Sequence, residues 1–210
     1  MYKAVKRVLD FLFALLLLII LLPIFLIVSI AIKLDSKGPV LFKQLRSGKN
    51  GKEFMMYKFR SMSANNDVHD FKSENKMTKV GKFIRKTSLD EIPQLINIIK
   101  GEMSFIGPRP WITDYQKYFT KNQKRRLEVL PGITGLAQAT GRNNLTVYEK
   151  LRLDVYYVDH LSFKMDMKVI YGTVKTVLSK EGAELSKSGI QNELDELKTQ
   201  HKTTPLKAEV

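Results

Sequence analysis

From Phe11 to Ile32 the chain reads FLFALLLLIILLPIFLIVSIAI, twenty-two residues without a charge. Coiled as a helix, such a run is about 33 Å long, enough to cross the hydrocarbon core of a bilayer. A secretory signal has a shorter apolar region and a small-residue cleavage site. Here Lys33-Leu34-Asp35 follows directly, so the run reads as a permanent membrane element. Lys3, Lys6 and Arg7 precede it, and Lys33, Lys37, Lys43 and Arg46 follow it. The positive-inside rule then places both flanks on the cytoplasmic side, which one straight spanning helix cannot achieve. Pro23 lacks an N–H and clashes with the preceding turn, so it kinks the run near its middle. A re-entrant helix–break–helix is therefore preferred over a single span with a tolerated proline.

The rest of the chain is bounded by charge and by missing residue types. Its 210 residues hold one ordinary domain, or a smaller domain with an appendage. Without cysteine there are no disulfides, thiolate zinc sites or cysteine nucleophile. His69, His160 and His201 lie far apart, which leaves a histidine metal site or a serine–histidine triad little to stand on. Catalysis, if present, falls to carboxylates and cations. The net charge of +14 points to a polyanionic partner: nucleic acid, an anionic membrane surface or a phosphorylated substrate. The apolar run selects the membrane, and no recognition-helix or zinc-finger motif supports nucleic acid.

Past a turn at Ser36–Pro39, residues 40–44 read as a short strand, Gly48-Lys49-Asn50-Gly51 as a hairpin turn and residues 53–60 as the partner strand. Lys58 and Arg60 share parity on it, and a solvated strand face accounts for them as well as a site does. Residues 63 to 80 are polar and aperiodic, a loop that could close over a site. Asp67, His69 and Asp70 within it resemble metal ligands but read better as solvated side chains. Thr78 to Lys86 reads as a short basic helix. It leads into RKTSLDEIPQL, residues 85–95, where two adjacent carboxylates precede an apolar helix face of Ile92, Leu95, Ile96, Ile98 and Ile99 that ends at Lys100-Gly101.

A capping box from Ser88 to Glu91 would explain the carboxylates without chemistry. It would also put Pro93 at the fifth helical position, where its missing N–H costs a hydrogen bond. With Asp90 as N-cap, Pro93 falls at the third and costs nothing. That places Asp90 and Glu91 at the positive end of a helix. In Gly107-Pro108-Arg109-Pro110-Trp111, two prolines fix the backbone around one arginine, as bidentate phosphate binding requires. A rigid loop with an exposed arginine explains the same pattern.

Residues 114 to 130 read as a helix with Tyr115, Tyr118, Phe119 and Leu127 partly inward, and with Lys117, Lys121, Lys124, Arg125 and Arg126 mostly outward. Residues 131–135 (PGITG) and 141–144 (GRNN) are turn-rich and could bring backbone amides near a ligand. Residues 145 to 161 read as a helix. Phe163, Met167, Ile170, Val174, Val177 and Leu178 follow helical spacing, a stripe more often core than membrane contact. The charged sequence after Gly189 reads as flexible, with a short helix at 192–198.

A proline-broken apolar helix followed by KFRSM (58–62), RKTSLDEIPQL, SFIGPRP (104–110), PGITG and LDVYYVDH (153–160) closely resembles the bacterial sugar transferases, the small monotopic phosphoglycosyl transferases. The resemblance covers roughly residues 1 to 180 and is to the minimal form of the family. It implies a mostly helical α+β fold: a small cytoplasmic catalytic domain with a short β-hairpin, anchored by a re-entrant membrane helix broken at Pro23 and by amphipathic interfacial helices. The expected divisions are 1–35 for the membrane helix, 36–185 for the catalytic domain and 186–210 for a charged tail.

The activity implied is transfer of a sugar-1-phosphate from a UDP-sugar to polyprenyl (undecaprenyl) phosphate at the cytoplasmic face of the bacterial inner membrane. It would release UMP and begin a glycoconjugate or surface polysaccharide that downstream glycosyltransferases extend. The matching positions make Asp90 the nucleophile and Glu91 its metal-site or acid–base partner, with Mg2+ as cofactor. Arg85 and Arg109 would clamp phosphates, while Arg142 would serve the nucleotide and Lys58 orient the site. One departure is that Leu22 precedes Pro23 where some close relatives carry a serine, so no hydroxyl there takes up the carbonyl freed at the break. The competing reading from another class is a membrane-anchored, lipid-binding scaffold in which the Asp-Glu pair is only a cap.

Overall fold

A computed structural model describes residues 2–63, 77–141, 144–178 and 195–199. Arg142, Asp67, His69, Asp70 and most of the loop and tail expectations lie outside those residues. The chain forms two compact units, Met1–Leu45 with Phe54–Ser104, and Arg46–Glu53 with Phe105–Val210.

The first unit begins with the apolar run, which forms α1 (Tyr2–Ile20) and α2 (Leu22–Asp35), bent by 61° at their junction. Neither helix alone is long and apolar enough to cross a membrane; the bent pair is, by length and composition. The bend forms with Leu22 in place of a serine, and Pro23 sits in the first turn of α2, where a missing N–H costs least. Leu12, Phe13, Leu16, Ile19, Ile20, Leu22, Leu26 and Ile27 are exposed along the pair.

The far half of α2 is packed differently. Val28 and Ile32 are buried with Phe59 and Ile84, and the rings of Phe25 and Phe59 lie 4.6 Å apart. Both ends of the helix pair are tied to polar partners in the same unit. Arg7 donates to the Ile98 carbonyl at 2.7 Å and the Ile99 carbonyl at 3.1 Å, in the last turn of the helix that ends at Lys100. At the other end Asp35 Oδ2 accepts from Val80 N at 2.9 Å, and buried Arg60 donates to the carbonyls of Ser36 and Lys37. Arg60 is thus a brace and not part of a solvated strand face.

The hairpin forms as expected: β1 (Leu41–Ser47) and β2 (Glu53–Phe59) pair around a turn in which Asn50 and Gly51 take positive φ. Helix α3 (Lys79–Lys86) starts on Thr78, whose side chain accepts from Gly81 N, and α4 (Gln94–Lys100) stops on left-handed Gly101.

In the second unit β3 (Ser104–Ile106) pairs with β4 (Gly132–Thr134). Close backbone packing accounts for the glycines there. A Cβ on Gly132 would overlap Gly107 N and O and Thr134 O, and one on Gly135 would overlap Gly107 O. These glycines therefore allow the close backbone packing of this segment against Gly107. Ile106, Val129, Leu136, Tyr157, Met165 and Val169 form one core, with Tyr157 Oη bonded to the Ile106 carbonyl and to Asp166.

Three sequence expectations are corrected in this unit. The helix expected over 114–130 is broken into a 3-10 segment Thr113–Tyr118, a single turn α5 (Lys121–Lys124) capped by Thr120, and a second 3-10 segment Arg125–Glu128. Arg126, expected outward, is 2% exposed, because Asp154 of α7 (Val147–Asp159) supplies an internal counter-charge. After α6 (Leu136–Thr140) and α7, helix α8 (Phe163–Leu178) buries Met165 and Val169. The expected core stripe of Phe163, Met167, Ile170 and Val174 instead faces outward, with Tyr171 beside it. The buried stripe follows the same helical spacing from a different starting residue, and periodicity alone does not distinguish them.

Candidate active site

The local structure at residues 85–95 departs from both helix starts read in the sequence. Ser88 is left-handed, with φ of 57°, and its side chain caps nothing, so there is no capping box. Leu89–Glu91 is a 3-10 turn, and the α-helix begins only at Gln94 with Pro93 as its N-cap. The residues ahead of Gln94 are closed instead by shorter-range bonds, Ile92 N donating to Leu89 O at 3.2 Å and Leu95 N to Ile92 O at 3.1 Å. Asp90 and Glu91 thus lie in a turn ahead of a seven-residue helix. A non-glycine residue at positive φ costs about 1–2 kcal/mol, and such strain collects at functional sites. Here it turns the chain so that Leu89 and Ile92 pack on the Phe59–Ile84 core.

The carboxylates are enclosed. Asp90 is 8% exposed, and Lys58 reaches both acids from β2: its Nζ is 2.6 Å from Glu91 Oε1 and 3.9 Å from Asp90 Oδ2. Lys58 is therefore no solvated strand residue; its charge offsets the repulsion of two adjacent carboxylates. Asn97 fixes the strand that carries it. Its Nδ2 donates to the Met55 carbonyl at 2.8 Å and to Glu102 at 2.6 Å, and its Oδ1 accepts from Tyr57 N at 3.1 Å. The sequence offered one signal for Asn97 that went unread: a polar residue set among the isoleucines of a buried face, three positions after the equally buried Gln94.

The other expected site residues are placed as follows. Arg85 is exposed in the last turn of α3, with Nη1 3.9 Å from Met77 Sδ. Arg109 belongs to the second unit, where its loop is held at four successive carbonyls. Gly132 N donates to Pro108 O at 3.0 Å, Arg126 Nη2 to Arg109 O at 2.5 Å, Arg46 Nη1 to Pro110 O at 3.2 Å, and Ser47 N to Trp111 O at 2.9 Å. Residues 106–108 and 110–111 are buried while Arg109 is exposed, so a rigid loop presents one guanidinium. Beneath it Arg126 Nε and Nη2 donate to Asp154 Oδ2 at 3.0 and 2.8 Å. Burial pushes the Asp154 carboxyl up, opposed by the Arg126 guanidinium.

Among the described residues no group of three or more His, Cys, Asp or Glu could hold a metal. The Asp90–Glu91 pair suits a different kind of site: Mg2+ takes one or two carboxylates and completes its shell with water and substrate phosphates.

The family model for bacterial sugar transferases matches residues 1–180. The chain is 45% identical over 179 residues to the uncharacterized sugar transferase EpsL of Bacillus subtilis (strain 168), covering 84% of this chain and 89% of that protein. It is 46% identical over 162 residues to the galactosyl transferase CpsE of Streptococcus agalactiae serotype III (strain NEM316), covering 70% and 36%. It is 41% identical over 181 residues to the UDP-glucose:undecaprenyl-phosphate glucose-1-phosphate transferase of Klebsiella pneumoniae, covering 80% and 39%. The chain thus spans well under half the length of the latter two.

Proposed function

Since the chain belongs to the bacterial sugar transferase family, we propose that it moves a sugar-1-phosphate from a UDP-sugar to polyprenyl phosphate, in two displacements through Asp90. The observation that carries this is the enclosed Asp90–Glu91 pair held under Lys58. In the first step an Asp90 carboxylate oxygen attacks the sugar-bearing phosphorus, its bond to the bridging oxygen breaks, and UMP leaves. The product is an acyl phosphate on Asp90. In the second step a phosphate oxygen of the polyprenyl acceptor attacks the same phosphorus, frees the carboxylate and yields the polyprenyl diphosphate sugar. Splitting one transfer in two lets a soluble and a lipid substrate use one carboxylate in turn.

Lys58 keeps the two acids together and lowers the charge that an incoming diphosphate meets. Glu91, hydrogen-bonded to Lys58, is the second carboxylate of the site. Asp90 and Glu91 would also hold Mg2+, which when bound supplies neutralisation of phosphate charge. Arg109, and Arg85 with it, are assigned to phosphate oxygens, where a guanidinium can bind two at once.

The reaction is assigned to the cytoplasmic face of the inner membrane, with α1 and α2 dipping in and returning. What supports the return is that Arg7 before the break, and Asp35 and Ser36 after it, are bonded within the same unit. An apolar pair whose two ends are held by one polar body leaves and re-enters by the same face. The outward apolar face of α8 suits an interfacial position.

The test is UMP release from a panel of UDP-sugars with undecaprenyl phosphate and Mg2+ in detergent, wild type beside Asp90→Asn. Release with one sugar, lost with EDTA and in the variant, is expected. Equal release from Asp90→Asn would remove Asp90 as the nucleophile, and function that survives that variant would favour a scaffold.

A further inference from the structure

We infer that the turn of helix at 195–199, beyond the segment matched by the family, is a strap that positions the Arg109 loop through Leu197. This rests on the phosphate-binding role proposed for Arg109.

Leu197 is fully buried although it stands in a charged stretch, Asp195-Glu196-Leu197-Lys198. It belongs to the cluster of Trp111, Tyr115, Phe119, Val147 and Leu151. Trp111, a member of that cluster, lies two residues after Arg109. Its ring meets Tyr115 and Phe119 edge-on at 5.6 Å each, and the Arg126 guanidinium lies 5.3 Å from its centre. The same Arg126 donates to the Arg109 carbonyl. The Arg109 loop therefore rests on Trp111, and Trp111 rests on a cluster to which Leu197 contributes.

A second contact fixes the strap in register. Glu196 Oε2 accepts from Val147 N at 3.3 Å, the first backbone donor of α7, which the Thr146–Glu149 capping box leaves unpaired. A carboxylate is favoured at that helix end. Within the turn, Thr199 Oγ donates to the Asp195 carbonyl at 2.8 Å and Lys198 lies 3.7 Å from Asp195. One apolar anchor and one acid thus attach a polar stretch to the body that carries Arg109. Losing Leu197 leaves a cavity in the cluster that supports Trp111 and loosens the loop above it.

Trp111 is the only tryptophan in the chain, so tryptophan fluorescence reports on this cluster. The full-length protein would be compared with Leu197→Ala and with the volume-conserving Leu197→Met. In Leu197→Ala, Trp111 emission is expected to shift to the red and to be quenched more readily by acrylamide. The KM for the UDP-sugar should rise about three- to tenfold with a smaller change in kcat, and Leu197→Met should restore both. A variant that merely unfolds in part would lower the active fraction and leave KM unchanged. Unaltered Trp111 emission and quenching in Leu197→Ala would overturn the strap, as would an exposed Trp111 with unchanged KM. If wild type itself released no UMP, the transferase reading would fail, and the Trp111 comparison, which needs no substrate, would still decide whether Leu197 holds the loop.

Discussion

Replacing Lys58 with methionine keeps the side chain's bulk and removes its charge. The site then changes from two acids and one cation to two acids alone, and it must still receive an anionic diphosphate. At an effective dielectric of about 20, the attraction between Lys58 and Asp90 over 3.9 Å is about 4 kcal/mol before solvation is subtracted. A hydrogen bond to a charged partner, such as that from Lys58 to Glu91, is worth about 1.5–3 kcal/mol net. Because Lys58 and both acids are at most one-fifth exposed, little of this is lost to screening. We expect kcat/KM for UMP release in Lys58→Met to fall about 10- to 150-fold.

The same loss of positive charge makes the pair a better cation site, so the Mg2+ concentration for half-maximal rate should fall while the rate itself drops. Lys58→Arg, which keeps the charge, should recover part of the activity. A Lys58→Met enzyme within threefold of wild type, folded by circular dichroism, would refute the electrostatic argument. So would a higher Mg2+ requirement.

Breaking the buried Arg126–Asp154 pair by Asp154→Leu should cost about 3–5 kcal/mol in denaturant titration, because Arg126 is left charged and buried. Adding Arg126→Met should recover most of that stability but not the activity, since the bond to the Arg109 carbonyl is gone. Gly132→Ala should lower the yield of folded protein sharply, because the added methyl overlaps the Gly107 backbone, which cannot give way as a side chain could. The chain has no cysteine, so Lys3→Cys and Lys37→Cys are clean single labels. In inverted and right-side-out vesicles both should react with a membrane-impermeant maleimide from the cytoplasmic side; opposite sides would mean a span.

The sequence carried the parts of the fold that depend on local pattern. The apolar run with its proline, the Asn50-Gly51 hairpin, the Thr78 start of α3 and the Gly101 stop of α4 each follow from backbone preferences of one or two residues. What failed depended on partners distant in sequence. Arg126 looked like one more cation on a basic face, and only Asp154, twenty-eight residues on, makes its burial affordable. The stripe of α8 was assigned to the core when the helix buries its other side. Leu197 falls in the short helix expected at 192–198, but two leucines in a charged stretch do not mark an anchor, and its burial depends on a cluster far away in sequence.

The site was legible in its residues but not in its geometry. Asp90 and Glu91 stood out, yet both helix starts proposed for them gave way to a 3-10 turn after left-handed Ser88. From the sequence a solvated strand face accounts for Lys58 as well as a site does, and the structure sets it on both acids. The proline rule was sound as far as it went: Pro93 does sit at the helix start, one residue outside the first helical position.

Intact-protein mass spectrometry would show whether Asp90 carries the sugar phosphate between the two substrates. Wild type would be incubated with its UDP-sugar and Mg2+ in the absence of polyprenyl phosphate, quenched, weighed and digested. The account predicts a mass increase equal to the sugar phosphate less water, one UMP released per adduct, the modification on the peptide containing Asp90, and its discharge on adding polyprenyl phosphate. An active enzyme that forms no adduct, or forms it on another residue, would contradict the account.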